Sequence, residues 1–398
     1  MPGASAVFPV MGQTQSVMLR IGIGWQSHVA ATIFWQNKIM ATALSFERPH
    51  ADAPARPRIA DDVALLRAAA ELSRDLNGVN PAIYWGDFLG SAVLGYAALA
   101  GAILLSGGLA WLSGVVAVLA LYRAGSFIHE LTHIKHRDLP WFRFGWNAVI
   151  GVPLLVPSFL YEGVHNLHHN KTRYGTVEDP EYLPLALMKP WTVPLFVIVS
   201  ALAPVAMLVR FGALTPSSLL IPPLRTLVVE RFSGLQINPL FRRRHPEGEL
   251  KRQWYAQEAA CSLWAIALIV LVATGTIPLR AFLIFLAVAA GVMVLNQVRT
   301  LVAHLWENEG EAMTVTAQYL DTVNVPPPTL LPALWAPVGL RYHALHHLLP
   351  GVPYHNLAEA HRRITAAVEP GSPYHKASYA GLPGLVADLT KKTFTPRS

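Results

Sequence analysis

Three short segments of the chain are dense in histidine, whose neutral imidazole is a good ligand for zinc, iron, copper and nickel. Each segment holds three histidines, so together they account for nine of the 16 in the chain. They read His129-Glu-Leu-Thr-His133-Ile-Lys-His136, His165-Asn-Leu-His168-His169 and His343-Ala-Leu-His346-His347. Scattered core histidines would not repeat the pattern H-x-x-H-H in two distant places. We therefore predict that the three segments meet around metal.

The spacing within these clusters bears on how many metal ions they hold. His129, His133 and His136 stand at i, i+4 and i+7, so a helix places them on one face. In H-x-x-H-H the first and second histidines share a helical face, and the third points about 100° away. Adjacent ligands of this kind suit two metals, or one metal and a neighbour of its ligands, better than one tetrahedral ion. The clusters also exceed the three protein ligands of a catalytic zinc site.

The composition indicates that the elements positioning these clusters are membrane helices. Hydrophobic residues make up 53% of the 398 and charged residues only 14%, whereas soluble domains carry about 25% charged residues. Apolar runs of about the 20 residues that a spanning helix needs occur in two pairs. The first pair is Tyr84 to Leu105 and Leu109 to Ile128, and the second is Trp254 to Thr274 and Leu279 to Val298. We predict an all-α polytopic membrane protein with two helical hairpins.

Two further apolar stretches contain prolines and are harder to place. Trp141 to Leu160 is too interrupted for a confident span, and a re-entrant or interfacial segment fits it better. Trp191 to Phe211 would, as a fifth span, separate the third cluster from the other two. We therefore expect four spans, with 191–211 in the interface and all clusters in one cap. The arginine-rich segment shares that side, so the positive-inside rule makes it cytoplasmic.

The expected organisation has three parts. Residues 1–80 form a polar or amphipathic extension, in which Asp61 and Asp62 open a helix through Leu72. Residues 81–365 form the membrane domain, with an amphipathic helix near Leu357 to Ala367, and residues 366–398 form a tail. The first 20 residues lack the features of a secretory signal. Methionines at 11, 18 and 40 leave the start of the native protein open.

Histidine clusters at the ends of two helical hairpins resemble the membrane fatty acid desaturase/hydroxylase superfamily, over roughly Tyr84 to Ile364. The resemblance implies a non-haem di-iron centre, with O2 as co-substrate, that attacks an unactivated C–H bond. It also implies one ligand after the last span, where this chain has His304. The implied iron ligands are His129, His133, His165, His168, His169, His304, His343, His346 and His347.

Several other residues have a weaker claim on the site. His136 is a possible extra ligand. Some relatives have an asparagine four residues before the ligand after the last span, where this chain has Thr300, and Asn296 is a poor substitute by spacing. Ligand histidines usually donate their other ring N–H to a carboxylate or carbonyl. Candidates for that role are Glu130, Glu162, Glu178, Asp179 and Asp321, of which Asp179 and Asp321 are favoured. Tyr174-Gly-Thr176 is expected to be a turn.

The resemblance points first to a fatty-acyl or lipid desaturase, acting on an acyl-lipid, acyl-CoA or acyl-carrier substrate. A lipid, alkane or carotenoid hydroxylase on the same scaffold is the alternative, and a zinc-binding membrane protein or transporter is less favoured. Electrons would come from a separate ferredoxin, rubredoxin or cytochrome b5 with its reductase. His245-Pro-Glu-Gly248 lacks the glycine pair of a fused cytochrome b5 domain.

The positive charge of the chain, +7 overall, has several possible meanings. The basic stretch from Arg225 to Arg252 is compatible with binding a phosphorylated headgroup, CoA or an acidic redox partner, and equally with a loop held against anionic lipid. No zinc-finger or RNP-like pattern supports nucleic-acid binding. The single cysteine, Cys261, lies in an apolar run and is expected to be buried and inert. We expect an integral membrane protein, of the inner or cell membrane.

Overall fold

A computed structural model describes residues 59–329 and 331–394 of the chain. Most of the expected N-terminal extension, including the methionines at 11, 18 and 40, lies outside the described residues. Within them the protein is helical and has no β-strand, only isolated bridges. The all-α prediction is therefore confirmed.

The helices, in chain order, alternate long membrane-type elements with short ones. They are α1 (Val63–Leu72), α2 (Pro81–Leu104), α3 (Gly107–His133), α4 (Phe142–Trp146), α5 (His165–His168), α6 (Thr192–Ile198), α7 (Ala203–Val209), α8 (Thr215–Leu220), α9 (Pro222–Phe232), α10 (Gly248–Ala273), α11 (Leu279–Leu301), α12 (Val315–Asp321), α13 (Pro332–Trp335), α14 (His343–Leu348), α15 (Leu357–Ala367) and α16 (Leu382–Phe394). The amphipathic helices expected after Asp62 and near Leu357 are present as α1 and α15.

Helices α2 and α3 form the first predicted hairpin. Asn80 caps α2, because its side chain accepts hydrogen bonds from the first-turn amides and Pro81 needs no donor there. Gly107, at φ +60°, lets the chain reverse into α3. The two helices pack closely at Gly95, where an added Cβ would lie 2.7 Å from Leu121. Helix α3 ends at His133, so the hairpin delivers the first cluster.

Helices α10 and α11 are joined by a short turn, as predicted, but the segment 192–220 packs against each of them. Helix α11 packs on 192–209 and on α3, whereas α10 packs mainly on 210–214. The segment 192–220 combines α6, α7 and α8 with a 3-10 turn at 199–202 and a π-turn at 210–214. We expected this segment to lie in the membrane interface, but it packs into the helical bundle instead.

Within the residues that the structure describes, five helical stretches are long and apolar enough to cross a membrane: Pro81–Leu104, Gly107–His133, Thr192–Leu220, Gly248–Ala273 and Leu279–Leu301. The chain nevertheless enters the third of them from the end of the bundle that carries the histidines, and after α9 it is back at that end. Before it, Ala186 N donates to Trp306 O, beside His304. After it and α9, Leu235 N donates to Leu160 O, just before the second cluster. All three clusters therefore share one end of the bundle, as predicted.

The rest of the described chain builds a cap over that end. Isolated bridges join His304 to Thr322 and Asn324 to both Tyr342 and Ser378. Asn324 also accepts a hydrogen bond at its side-chain Oδ1 from Leu345 N. Helix α1 packs against α15, and Leu385 of α16 joins a small core with Val302, Val323 and Val325. Residues between 366 and 394, expected to form a tail, thus pack into the cap.

Candidate metal centre

The nine histidines named as iron ligands converge in the cap as two groups. In each group, one ligand atom per residue lies within 4.8 Å of all the others. The first histidine group is His129, His133, His165, His169 and His346. The second histidine group is His168, His304, His343 and His347. The structure thus brings together every predicted ligand of the three clusters, and His304 with them.

The two groups interleave because adjacent histidines point to different sides of short helices. His168 and His169 separate at the end of α5, and His346 and His347 separate in α14. Each H-x-x-H-H segment therefore contributes to both groups. The sequence pattern suggested that adjacent histidines diverge, and they do. It paired the first histidine of each segment with the second, however, whereas the structure groups the first with the third, one helical turn away.

Within each group the inner ring nitrogens face one another at hydrogen-bond distance. In the first group His346 Nε2 lies 3.1 Å from His133 Nε2 and 3.2 Å from His169 Nε2. In the second, His343 Nε2 lies 3.1 Å from His304 Nε2 and 3.2 Å from His347 Nε2. A neutral imidazole has one N–H donor and one acceptor nitrogen. Hydrogen bonds between the rings therefore satisfy the converging nitrogens poorly.

His129 gives a second indication that the site is built for metal. Both of its ring nitrogens are buried and have no hydrogen-bond partner among the described residues. Buried polar atoms are almost always paired, so an orphaned imidazole aimed into a group of imidazoles implies a missing partner. A metal ion satisfies that need, and the donor set therefore fits the metal centre expected from the sequence.

Burial keeps most of these rings neutral, which is the form that binds metal. Desolvation, with the repulsion of neighbouring imidazoles, holds the pKa of the rings outside the spans well below the usual value. This applies to His165, His169, His304, His343, His346 and His347. His168 differs: burial acts to lower its pKa, but the charge and hydrogen bonds of Asp179 more than offset this and raise it.

The two favoured carboxylates both lie behind histidines of the second group. Asp179, fully buried, lies 2.9 Å from His168 Nδ1. Asp321 reaches His304 through a tyrosine. It accepts a hydrogen bond of 2.8 Å from the Tyr174 hydroxyl, which lies 2.8 Å from His304 Nδ1. Burial raises the pKa of Asp321 to about 7. The segment expected to be a turn thus also supplies Tyr174 to the site.

Glu130 lies in the site region but is committed elsewhere. Its carboxylate accepts hydrogen bonds from Tyr84 Oη at 2.5 Å and Tyr354 N at 3.2 Å, and comes only to 3.5 Å from His129 Nδ1. The spacing His129-Glu-x-x-His133 also matches the zinc-protease motif H-E-x-x-H, in which the glutamate is a general base. A carboxylate held by two donors beside nine converging histidines does not fit that role.

Other candidates lie outside the two groups. Glu162 pairs with Arg143 and Glu178 with Arg173. His136 is exposed and belongs to neither group, and Thr300 donates its hydroxyl to Asn296 O within the helix.

Three residues at the rings were missed from the sequence. Glu181 lies 3.1 Å from His165 Nδ1, and the Tyr161 hydroxyl lies 2.8 Å from the same nitrogen. Burial raises the pKa of Glu181 to about 7. Arg299 Nη2 lies 2.9 Å from His343 Nδ1. Of the three, only Arg299 could have been found from the sequence, because a charged residue at the end of an apolar span is by default a functional candidate.

Comparison with known proteins agrees with this geometry. The family model for fatty acid desaturases matches residues 106–378. The chain belongs to that family. It is also 48% identical over 336 residues to a protein named ceramide hydroxylase from Caulobacter vibrioides (strain NA1000 / CB15N), a match that covers 84% of this chain and 95% of that relative. The chain is therefore an integral membrane oxidoreductase that acts on lipid, as the resemblance implied.

Proposed function

We propose that the protein is an O2-dependent lipid hydroxylase whose nine clustered histidines hold two iron ions. The observation that supports this most directly is the division of nine imidazoles into a group of five and a group of four. The first group exceeds the four ligands of a structural zinc site and the three of a catalytic one. The family membership counts further against a zinc transporter or a non-catalytic zinc protein.

The donor set suits a metal that changes oxidation state in the presence of O2. The cysteine, Cys261, is buried in α10 and joins neither group, so no oxidisable thiolate is among the described candidate ligands. When bound, the iron pair supplies the activation of O2 and the abstraction of hydrogen, which side chains alone do not perform. Overall, one oxygen atom enters a C–H bond and the other is reduced to water by two electrons and two protons.

The chain's own residues hold and orient the ligands. Asp179 fixes the ring of His168, Glu181 with Tyr161 fixes His165, and the Tyr174–Asp321 pair fixes His304. Such partners behind a ligand set its tautomer and orientation. The buried rings also keep bulk water from the reaction, which limits wasteful release of reduced oxygen.

Hydroxylation is preferred to desaturation because of the relative at 48% identity, which is named a ceramide hydroxylase. Its name also points to a ceramide-type substrate. The desaturase that the family resemblance first suggested remains the second candidate, since the matching family model is that of fatty acid desaturases. The two reactions share the first hydrogen abstraction and diverge by the placement of the next group.

The proposal includes a separate electron donor, of the ferredoxin, rubredoxin or cytochrome b5 type, and a cytoplasmic location for the cap. Parts of the basic segment have internal roles: Arg225 pairs with Glu258, and Arg243 donates to Glu162 O and lies over Trp254. Arg231, Arg244 and Lys251 then carry the charge that the positive-inside rule requires.

Lipid mass spectrometry of cells with and without the protein tests this function. Gain of one oxygen atom on a ceramide supports the hydroxylase, and loss of two hydrogen atoms supports the desaturase instead. No change in any lipid, with redox partners supplied, would contradict both. In parallel, the purified protein should hold about two irons per chain, fewer after His168→Ala. Zinc alone with a closed ligand shell would refute the di-iron centre.

A further inference from the structure

Arg299 is a buried cation placed against the second histidine group. It lies in the last turn of α11, is 8% exposed, and its Nη2 lies 2.9 Å from His343 Nδ1. It is also near enough to His129, His304, Tyr161 and Glu181 to interact with them electrostatically. The guanidinium therefore stands where the spans end and the histidines begin.

This arginine has no ion-pair partner among the residues that the structure describes. Arg210, which is also buried, pairs with Glu258 at 2.7 Å and has further bonds to Thr215 and Ser233. For Arg299 the Glu181 carboxylate is nearby but beyond ion-pair distance, being bonded to Tyr161 and His165. A buried charge without close pairing is strongly unfavourable and is kept where a function requires it.

Most donors of Arg299 are unused. A guanidinium carries five N–H donors and no acceptor, and within residues 59–329 and 331–394 its hydrogen bond is to His343 alone. Its other nitrogens are not among the fully enclosed side-chain atoms that lack a partner, whereas both nitrogens of His129 are. These donors therefore retain some accessible surface.

Metal binding at His343 would break its hydrogen bond with Arg299. A neutral histidine that binds metal through Nε2 carries its proton on Nδ1. His343 would then present an N–H to Arg299, and two donors form no hydrogen bond with each other. Filling the second group thus leaves Arg299 in need of an acceptor oxygen.

We propose that Arg299 binds the amide carbonyl oxygen of the lipid substrate and so directs oxidation to a carbon close to the polar head. This rests on the proposed lipid hydroxylase function. A carbonyl is an acceptor that a donor-only guanidinium can bind, so the ligand can be a neutral lipid. Because Arg299 contacts a histidine of the metal group, the carbons held at the metals lie within a few bonds of that carbonyl.

Equilibrium binding tests the contact without turnover. The full-length iron-loaded protein, kept anaerobic and without an electron donor, is titrated with ceramide and with an analogue in which a trans alkene replaces the amide. The wild type should bind ceramide roughly 10- to 100-fold more tightly than the analogue, the range for a hydrogen bond to a charged group. Arg299→Leu should bind the two within about twofold, and Arg299→Lys should lie between.

Arg280→Leu is the matched control. Arg280 lies in the first turn of the same helix, is exposed at the opposite end, and donates to Ile103 O. Its loss removes the same charge and should keep the full preference for ceramide. Iron content and thermal stability of each variant show whether the fold and the metal site are intact.

Three outcomes would overturn the assignment. One is an Arg299→Leu protein that still prefers ceramide as the wild type does. Another is loss of iron in Arg299→Leu with that preference unchanged, which would make Arg299 a metal-site residue. The third is a preference that depends on the lipid's hydroxyls, tested with 1-deoxy and 3-deoxy ceramides, rather than on the carbonyl.

Product mapping by tandem mass spectrometry separates this inference from the proposed function. The wild type should place oxygen at one carbon near the head, and Arg299→Leu should scatter it. Oxygen added identically by both proteins overturns the role of Arg299 and leaves the hydroxylase intact. A wild type that binds ceramide through Arg299 but adds oxygen to no lipid refutes the hydroxylase alone.

Discussion

The first and second histidine groups contain the same kind of ligand, but the chain orients their rings in different ways. Two of the five rings in the first group, His129 and His133, stand one turn apart at the end of the 27-residue helix α3. None of the four rings in the second group lies on a long helix. They come from the four-residue α5, the six-residue α14 and the loop after α11.

The hydrogen bonds behind the rings follow this difference. In the second group three of four rings have a partner at Nδ1, namely Asp179, Tyr174 and Arg299. In the first group, within the part of the chain that the structure describes, only His165 has one, supplied by Glu181 and Tyr161. A packed helix restricts the rotamers of its side chains, whereas a ring on a short element needs a hydrogen bond to hold its orientation. The second group should therefore depend more on its surroundings.

Removal of a ligand should have the largest effect, and it should be equal for the two groups. His129→Ala and His304→Ala should each reduce turnover to background, because the proposed oxygen chemistry needs both irons. Each variant should keep about one iron per chain, measured by metal analysis of purified protein.

His375→Ala is the control for both, since the Nε2 of that ring donates to Glu369 O at the surface and the residue belongs to neither group. If His304→Ala and His375→Ala turned over equally fast, the ligand assignment would be wrong.

Substitution of the carboxylates near the rings should affect the two histidine groups to different degrees. Asp179→Asn should lower metal affinity and activity about 10- to 100-fold, the usual effect of removing a partner of a ligand histidine. Glu130→Gln should have a much smaller effect, because Glu130 is bonded to Tyr84 and Tyr354 rather than to His129. Competition with a chelator measures both, and equal losses would remove the distinction between the groups.

The tyrosines give a finer version of the same test. Tyr174→Phe removes the link between His304 and Asp321, and should reduce iron affinity in the second group roughly five- to tenfold, by loss of hydrogen bonds. Tyr161→Phe should have less effect, because Glu181 still contacts His165 directly at 3.1 Å. Spectroscopy that resolves the two irons would show which one is perturbed. An effect of Tyr161→Phe as large as that of Tyr174→Phe would contradict the comparison.

The convergence of the eight proposed ligands in the three clusters could be predicted because local spacing carries their signal, whereas His304 was named only from the family resemblance. His129 and His133 share a helical face by periodicity alone, and H-x-x-H-H implies that neighbours diverge. The residues behind the rings were less accessible, since they depend on contacts between distant segments. Tyr174 reaches His304 across 130 residues, and Arg299 reaches His343 across 44.

The fold shows the same limit. The hairpins follow from apolar length and a glycine break, and α1, α15 and the interrupted segment 141–160 were also predicted. The path of 192–220 was not, because hydropathy reports that a segment is apolar but not what it packs against. No local pattern indicates its return to the histidine end, where Leu235 N donates to Leu160 O.

His136 provides the smallest and most discriminating test of group membership. By spacing it continues the face of His129 and His133, but α3 ends at His133 and the next residue is extended. His136 is therefore exposed and outside both groups. His136→Ala should change iron content and turnover by less than about twofold, as expected of a surface substitution. A loss of iron comparable to that of His129→Ala would show that the chain after His133 closes onto the first group when metal binds.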